Sequence, residues 1–158
     1  MIKILLPSKI RKRMIGLLKS AGSREIGGIL MGEHVSEGVF RICDFTIQQH
    51  GGTWITFVRK MEESLKQSLR KFFKSTDFQF TRFNYLGEWH SHPSFSLMPS
   101  NRDQDSMWEI VNDPSVGANF AILLIVKLEA GELAGSVNLF ASGFDVMAGE
   151  LLFEGDSN

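Results

Sequence analysis

Two long apolar runs, Phe120 to Leu128 and Leu133 to Phe140, stand only four residues apart, across Glu129 to Glu132. A link that short leaves two strands one arrangement, an antiparallel hairpin. Upstream, Ile2 to Leu6 reads as a short strand ended by Pro7. Ser8 can then cap a helix with Ile10, Met14, Leu17 and Leu18 at helical spacing and Gly22 placed to stop it. Glu25 to Met31 and Val39 to Ile47 are apolar runs joined by the polar stretch Gly32 to Gly38, which predicts strand, turn and strand. After a loop at His50, Gly51 and Gly52, Thr53 to Val58 reads as another strand.

Met61, Leu65, Leu69, Phe72 and Phe73 share one face of a second helix, with Glu62, Lys66, Arg70 and Lys74 around the rest. Asn84 to His90 reads as a strand, and Asp103 to Val111 as a helix with Met107, Trp108 and Val111 inward. The tail after Gly155 is expected to fray. Mixed elements with at least two hairpin connections predict an α/β or α+β domain whose mixed sheet is sandwiched by helices, not a doubly wound parallel sheet. At 158 residues and 43% apolar content the whole chain, 1–158, fits a single folded domain. No repeat or low-complexity linker divides it.

A formal net charge of -1 gives no global attraction to nucleic acid or to an anionic membrane. Lys9, Arg11, Lys12, Arg13 and Lys19 on the first helix read as a solvated face. No apolar run reaches the roughly 18 residues of a membrane span, and the N-terminal segment lacks a signal peptide's order of charge and apolar core. Cys43 is the only cysteine, which excludes a disulfide framework and a thiolate cage and points to a cytoplasmic setting. Set within an apolar strand, it reads as a small buried hydrophobe. Nothing in the sequence sets an oligomeric state.

Two of the four histidines lie in His90-Ser91-His92, and seven residues later comes Ser100-Asn101-Arg102-Asp103. In an extended segment residues two apart project to the same side about 6.5 Å apart, so both imidazoles can converge on one ion while Ser91 points away. Pro93 ends the strand, and the following loop returns the chain to a helix start where Asp103 can add an oxygen ligand. Two nitrogens and one carboxylate leave a fourth tetrahedral position to water, the open coordination of a catalytic zinc. Ser100 and Asp103 also fit a capping box, and one residue can serve both purposes. Trp89 reads as sheet packing, and Trp54 in its glycine-flanked loop as either a packed aromatic or a substrate contact.

His90-x-His92, seven residues and Ser100-x-x-Asp103, with Glu25 upstream in Arg24-Glu25-Ile26-Gly27-Gly28, resembles the full signature of the JAMM (MPN-plus) metallopeptidases, over most of the chain to about Ala141. The resemblance implies the JAMM/MPN, cytidine deaminase-like fold, one Zn2+ per chain on His90, His92 and Asp103, Glu25 as general base, and Ser100 as donor to the oxyanion. Tyr85 to Pro93 and Phe57-Val58-Arg59 are similar to the bacterial branch, especially the deconjugating peptidases of type II CBASS antiphage operons. That implies cleavage after the C-terminal tail of a ubiquitin-like or CD-NTase-like protein conjugated to a target. The alternatives are a hydrolase processing a sulphur-carrier protein tail, a metal-free MPN scaffold, and a DNA-repair-associated branch, the last disfavoured by the neutral charge.

Overall fold

The computed structural model describes residues 1–48, 63–94 and 96–155. Within them the order is β1 (Lys3–Leu6), α1 (Ser8–Ala21), β2 (Gly27–Ser36), β3 (Val39–Phe45), α2 (Glu63–Ser75), β4 (Phe83–Ser91), α3 (Asn101–Asn112), β5 (Phe120–Glu129), β6 (Glu132–Ala141) and β7 (Met147–Phe153). The expected loop at 50–52 and strand at 53–58, together with Trp54 and Met61, fall outside the described residues, as do Phe95 and the tail 156–158. No described helix is long and apolar enough to cross a membrane.

The hairpin expected from the two apolar runs is present, with Phe120 opposite Ala141 and Glu129 opposite Glu132 across a turn at Ala130 and Gly131. Around it the strands hydrogen-bond in the order β1-β3-β2-β4-β5-β6-β7, and β1 also pairs with β7, so the sheet closes on itself. It is mixed: β1 runs parallel to β3 and β7, β4 runs parallel to β5, and the remaining pairs are antiparallel.

The alternation along β5 shows where the core sits. Ile122, Leu124 and Val126 join a cluster with Ile10, Met14 and Leu18 of α1, whereas Ala121, Leu123 and Ile125 join Met107, Ile110 and Val111 of α3. Period-2 projection thus covers the sheet with a helix on each face, as expected from the sequence. Because α1 touches β3, β5 and β6, which are spread around the ring, the sheet curls around that helix.

Three local expectations need correction. Pro7, not Ser8, stands at the cap of α1 with extended backbone, its carbonyl taking the Arg11 amide at 2.9 Å. Ser8 is already helical and buried. The polar stretch from Gly32 continues β2 to Ser36, and the chain reverses only at Glu37 and Gly38. Glu33 is polar for a different reason: its carboxylate meets Arg41 at 3.3 Å and Arg82 at 3.0 Å. β7 has no counterpart in the sequence reading, because its side chains alternate poorly and Met147 and Phe153 stay exposed. Backbone pairing to β1 and β6 defines it.

β4 carries an irregularity that the site depends on. Between Leu30 and Met31 the register to β4 skips Leu86, and Gly87 follows with φ 148. This shift puts Tyr85 on the α3 side of the sheet while Leu86 and Trp89 face α1. A methyl group at Gly87 would collide with the Ile122 backbone of β5. Gly87→Ala is therefore expected to lose roughly 2–3 kcal/mol through overpacking and backbone strain, read as a drop in thermal midpoint by circular dichroism.

Candidate metal centre

Strand β4 ends in His90-Ser91-His92, and the parallel neighbour β5 holds it from one side, with Ser91 opposite Val126 and the His92 amide on the Val126 carbonyl at 3.0 Å. On the other side β2 approaches so closely that a side chain at Gly27 would strike the Trp89 carbonyl and the His90 Cβ. Ser91, fully buried, points away from the imidazoles and binds the segment before β2. Its hydroxyl accepts the Ile26 amide at 3.0 Å, and its own amide donates to the Ile26 carbonyl at 2.8 Å. Trp89 is buried against Phe45 and donates its indole N–H to the Thr46 carbonyl at 2.8 Å, which is the packing role expected of it.

The third group arrives from α3. Ser100 caps that helix: its hydroxyl accepts the Asp103 amide at 3.1 Å while its amide donates to Asp103 Oδ2 at 2.8 Å, a complete capping box. The same box aims the Asp103 carboxylate at both imidazoles. Nε2 of His90 lies 3.0 Å from Nε2 of His92, 3.4 Å separate His90 Nε2 from Asp103 Oδ1, and 3.3 Å separate His92 Nε2 from Asp103 Oδ2. Ligands about 2.0–2.1 Å from a zinc ion at tetrahedral corners lie about 3.3–3.4 Å apart, so this triangle fits one face of such a site.

Protonation fits as well. Nδ1 of His92 stands 2.8 Å from the Ser96 carbonyl, which can only accept, so that nitrogen carries the proton and Nε2 presents a lone pair. The loop supplying this carbonyl is itself pinned, because the Ser136 hydroxyl of β6 donates to the Leu97 carbonyl at 2.6 Å. Burial pushes the Asp103 carboxyl up, but hydrogen bonding and charge from His90 and hydrogen bonds from Ser100 outweigh it and bring the group to about 2. An anion thus faces two imidazoles, the donor set suited to a divalent cation.

His90, His92 and Asp103, which the sequence reading brings together, converge in the structure. Glu25 lies just before β2 and is exposed. The β2–β4 ladder ends with Gly27 paired to His90, and Glu25 lies two residues ahead of that pair. Ser100 lies one helical turn before Asp103, its hydroxyl oxygen engaged as an acceptor and its proton therefore directed elsewhere. Cys43 is half-buried in β3, and burial pushes its thiol up to about 11. No thiolate is available there near neutral pH.

Sequence reasoning passed over Glu88. It follows the same alternation as His90 and His92, is 3% exposed, and leaves Oε1 without a hydrogen-bond partner. Burial, with the Asp103 charge adding to it, pushes this carboxyl up to about 8. Its position two residues before a strand histidine was the available signal, since period 2 turns it toward the ligand face.

A family profile described as prokaryotic homologs of the JAB domain matches residues 7–138. A protein of Enterobacter hormaechei subsp. hoffmannii named CD-NTase/cGAS isopeptidase is 31% identical over 147 residues, covering 88% of this chain and 73% of that protein. A protein of Desulfitobacterium hafniense known from a solution structure superposes with a TM-score of 0.66 at 19% identity, over 97% of this chain and 94% of its own, and is alike in fold.

Ser91→Ala strands the Ile26 amide in a dry environment, so equilibrium denaturation is expected to show a loss of about 1–3 kcal/mol. Glu88 is ionised above its ordinary 4.5 in the unfolded chain but stays protonated to about 8 in the fold. The folded state then holds the extra proton, and stability of the metal-free protein falls as pH rises through that window. Denaturant midpoints measured across this range should decline for the wild type and stay flat for Glu88→Gln.

Proposed function

The chain belongs to the family of prokaryotic homologues of the JAB domain, and on that footing we propose that it is a zinc-dependent peptidase or isopeptidase. The observation that carries this reading is the convergence of two imidazole nitrogens and one carboxylate at 3.0–3.4 Å. A scaffold without metal would have no need to keep three such groups packed together against their own hydrogen-bonding demands.

His90, His92 and Asp103 would hold a zinc ion, which would supply a Lewis acid and lower the pKa of a bound water to about 7. The remaining work belongs to the chain. Glu25 takes a proton from the attacking water and later delivers it to the leaving amine, a role open to an exposed carboxylate two residues ahead of the Gly27–His90 pair. Ser100 donates its hydroxyl proton to the developing oxyanion, because its lone pair already holds the Asp103 amide. Ser91 fixes the distance between the Glu25 segment and the ligand strand through Ile26.

For the substrate, the relative named CD-NTase/cGAS isopeptidase supports a CD-NTase joined to a target protein, and we propose that cleavage falls after its C-terminal tail, in an antiphage CBASS setting in the cytoplasm. A ubiquitin-like tail presents the same chemistry, an extended carboxyl-terminal strand ending in an amide to a lysine. Such tails can be told apart by supplying each as a lysine conjugate.

The test combines metal content with cleavage of a nucleotidyltransferase-tail conjugate. Glu25→Ala should retain zinc and lose turnover, whereas His92→Ala should lose both. Zinc lost from Glu25→Ala would contradict the base assignment, and conjugate cleavage surviving chelation would contradict the metal.

A further inference from the structure

The apolar run Leu133 to Phe140 is interrupted on one face by Ser136 and Asn138, polar residues that the proposed chemistry does not use. Register sets where Ser136 stands. It pairs with Ile125 of β5, and Ile125 pairs with His90 of β4. Ser136 and His90 are therefore two strands apart, roughly 9–10 Å at about 4.8 Å per strand. Ile125 packs under α3 together with Phe140, which lies four residues beyond Ser136 on the same strand. Alternation thus turns Ser136 to the face that carries His90 and His92.

A hydroxyl on an apolar face needs a partner, and Ser136 finds one far away in sequence. It donates to the Leu97 carbonyl at 2.6 Å, at the short end of the range for such a bond. To meet it, the chain leaving His92 passes over β5 to β6 before it turns back to the start of α3. The Leu97 side chain packs on the same cluster as Ile125, so an apolar contact seats the loop beside the hydrogen bond. The other bonds of this segment stay within it or go to a ligand. The Met98 amide donates to Ser96 Oγ at 3.3 Å, and Nδ1 of His92 donates to the Ser96 carbonyl at 2.8 Å. Among the described residues, Ser136 supplies the one hydrogen bond between residues 96–99 and a strand.

The Ser96 and Leu97 carbonyls belong to consecutive peptide planes, so holding the second restricts rotation of the first. The first keeps the proton on Nδ1 of His92 and leaves a lone pair on Nε2. A neutral imidazole released from that acceptor divides between two tautomers, and the form with hydrogen on Nε2 has no lone pair there for a cation. Alanine would suit the apolar face at least as well as serine, so what the hydroxyl adds is this bond.

We propose that Ser136 is a positioning residue for the metal centre: through Leu97 and Ser96 its hydroxyl holds His92 in the tautomer and orientation that bind a divalent cation. The hold exists in the metal-free chain, whereas its effect on affinity rests on the zinc reading given above.

Two measurements on the full chain test it, nitrogen-15 NMR of the imidazoles without metal and zinc affinity by competition with a chromophoric chelator. Well above neutral pH, His92 of the wild type should carry its proton on Nδ1 alone. Ser136→Ala should show the Nε2-protonated form mixed in and should bind zinc about tenfold more weakly. Ser136→Thr keeps the hydroxyl and should restore both readouts. Asn138→Ala changes the same face two residues on and should match the wild type. Where Ser136→Ala does not fold, Ser136→Cys, close in size and a weak donor, carries the same expectation. An unchanged tautomer and affinity in Ser136→Ala, a loss that threonine does not restore, or an equal loss in Asn138→Ala would overturn the proposal. A wild type that binds no zinc would instead overturn the zinc reading, with the tautomer shift still deciding the role of Ser136.

Discussion

Two imidazoles and a carboxylate packed within hydrogen-bonding distance, with little access to water, are costly to assemble, and much of the local structure is arranged to keep them there. Each of the three is fixed through its backbone and through its neighbours. β5 holds the ligand strand by parallel pairing, β2 closes on it where Gly27 leaves no room for a side chain, and the capping box of α3 presents Asp103. Helix capping and the geometry of the triad are here one structure. The Ser100 amide that neutralises part of the Asp103 charge also orients its carboxylate toward His90 and His92. Removing the cap would disturb both.

Support continues outward from the ligands in a connected series. His92 depends on the Ser96 carbonyl, and the neighbouring Leu97 carbonyl depends on Ser136 of β6. The hairpin of β5 and β6 thus holds the loop between the second and third ligands as well as filling the core. On the other side Ser91 joins the ligand strand to Ile26, whose preceding residue is Glu25. The fold brings a strand end, a helix start and a chain crossing to one place. That convergence accounts for a compact triad drawn from a strand end and a helix start, His90, His92 and Asp103.

The convergence of His90, His92 and Asp103 was legible in the sequence because its two periodicities are simple. Alternation puts His90 and His92 on one face, and a Ser-x-x-Asp pattern marks a helix start that returns the acid to them. The β5–β6 hairpin was legible for a similar reason, since the polar link between its apolar runs is too short for anything else. Features set by tertiary contact were not. β2 outlasts its apolar portion because Glu33 finds Arg41 and Arg82, and β7 exists by pairing rather than by pattern. Gly87 looks like any strand glycine until β5 is seen to pass against it. Glu88 looks like a surface acid, and only the covering of the face it shares with His90 and His92 turns it into a buried, protonated one.

X-ray absorption at the zinc edge, on the full chain loaded with zinc, addresses the central claim without reference to any substrate. Two imidazole nitrogens and oxygen donors at about 2.0–2.2 Å, with the imidazole scattering diminished in His90→Ala and the oxygen shell altered in Asp103→Asn, are the predicted result. A sulfur-containing or purely aqueous shell, or a spectrum unchanged by both substitutions, would contradict it.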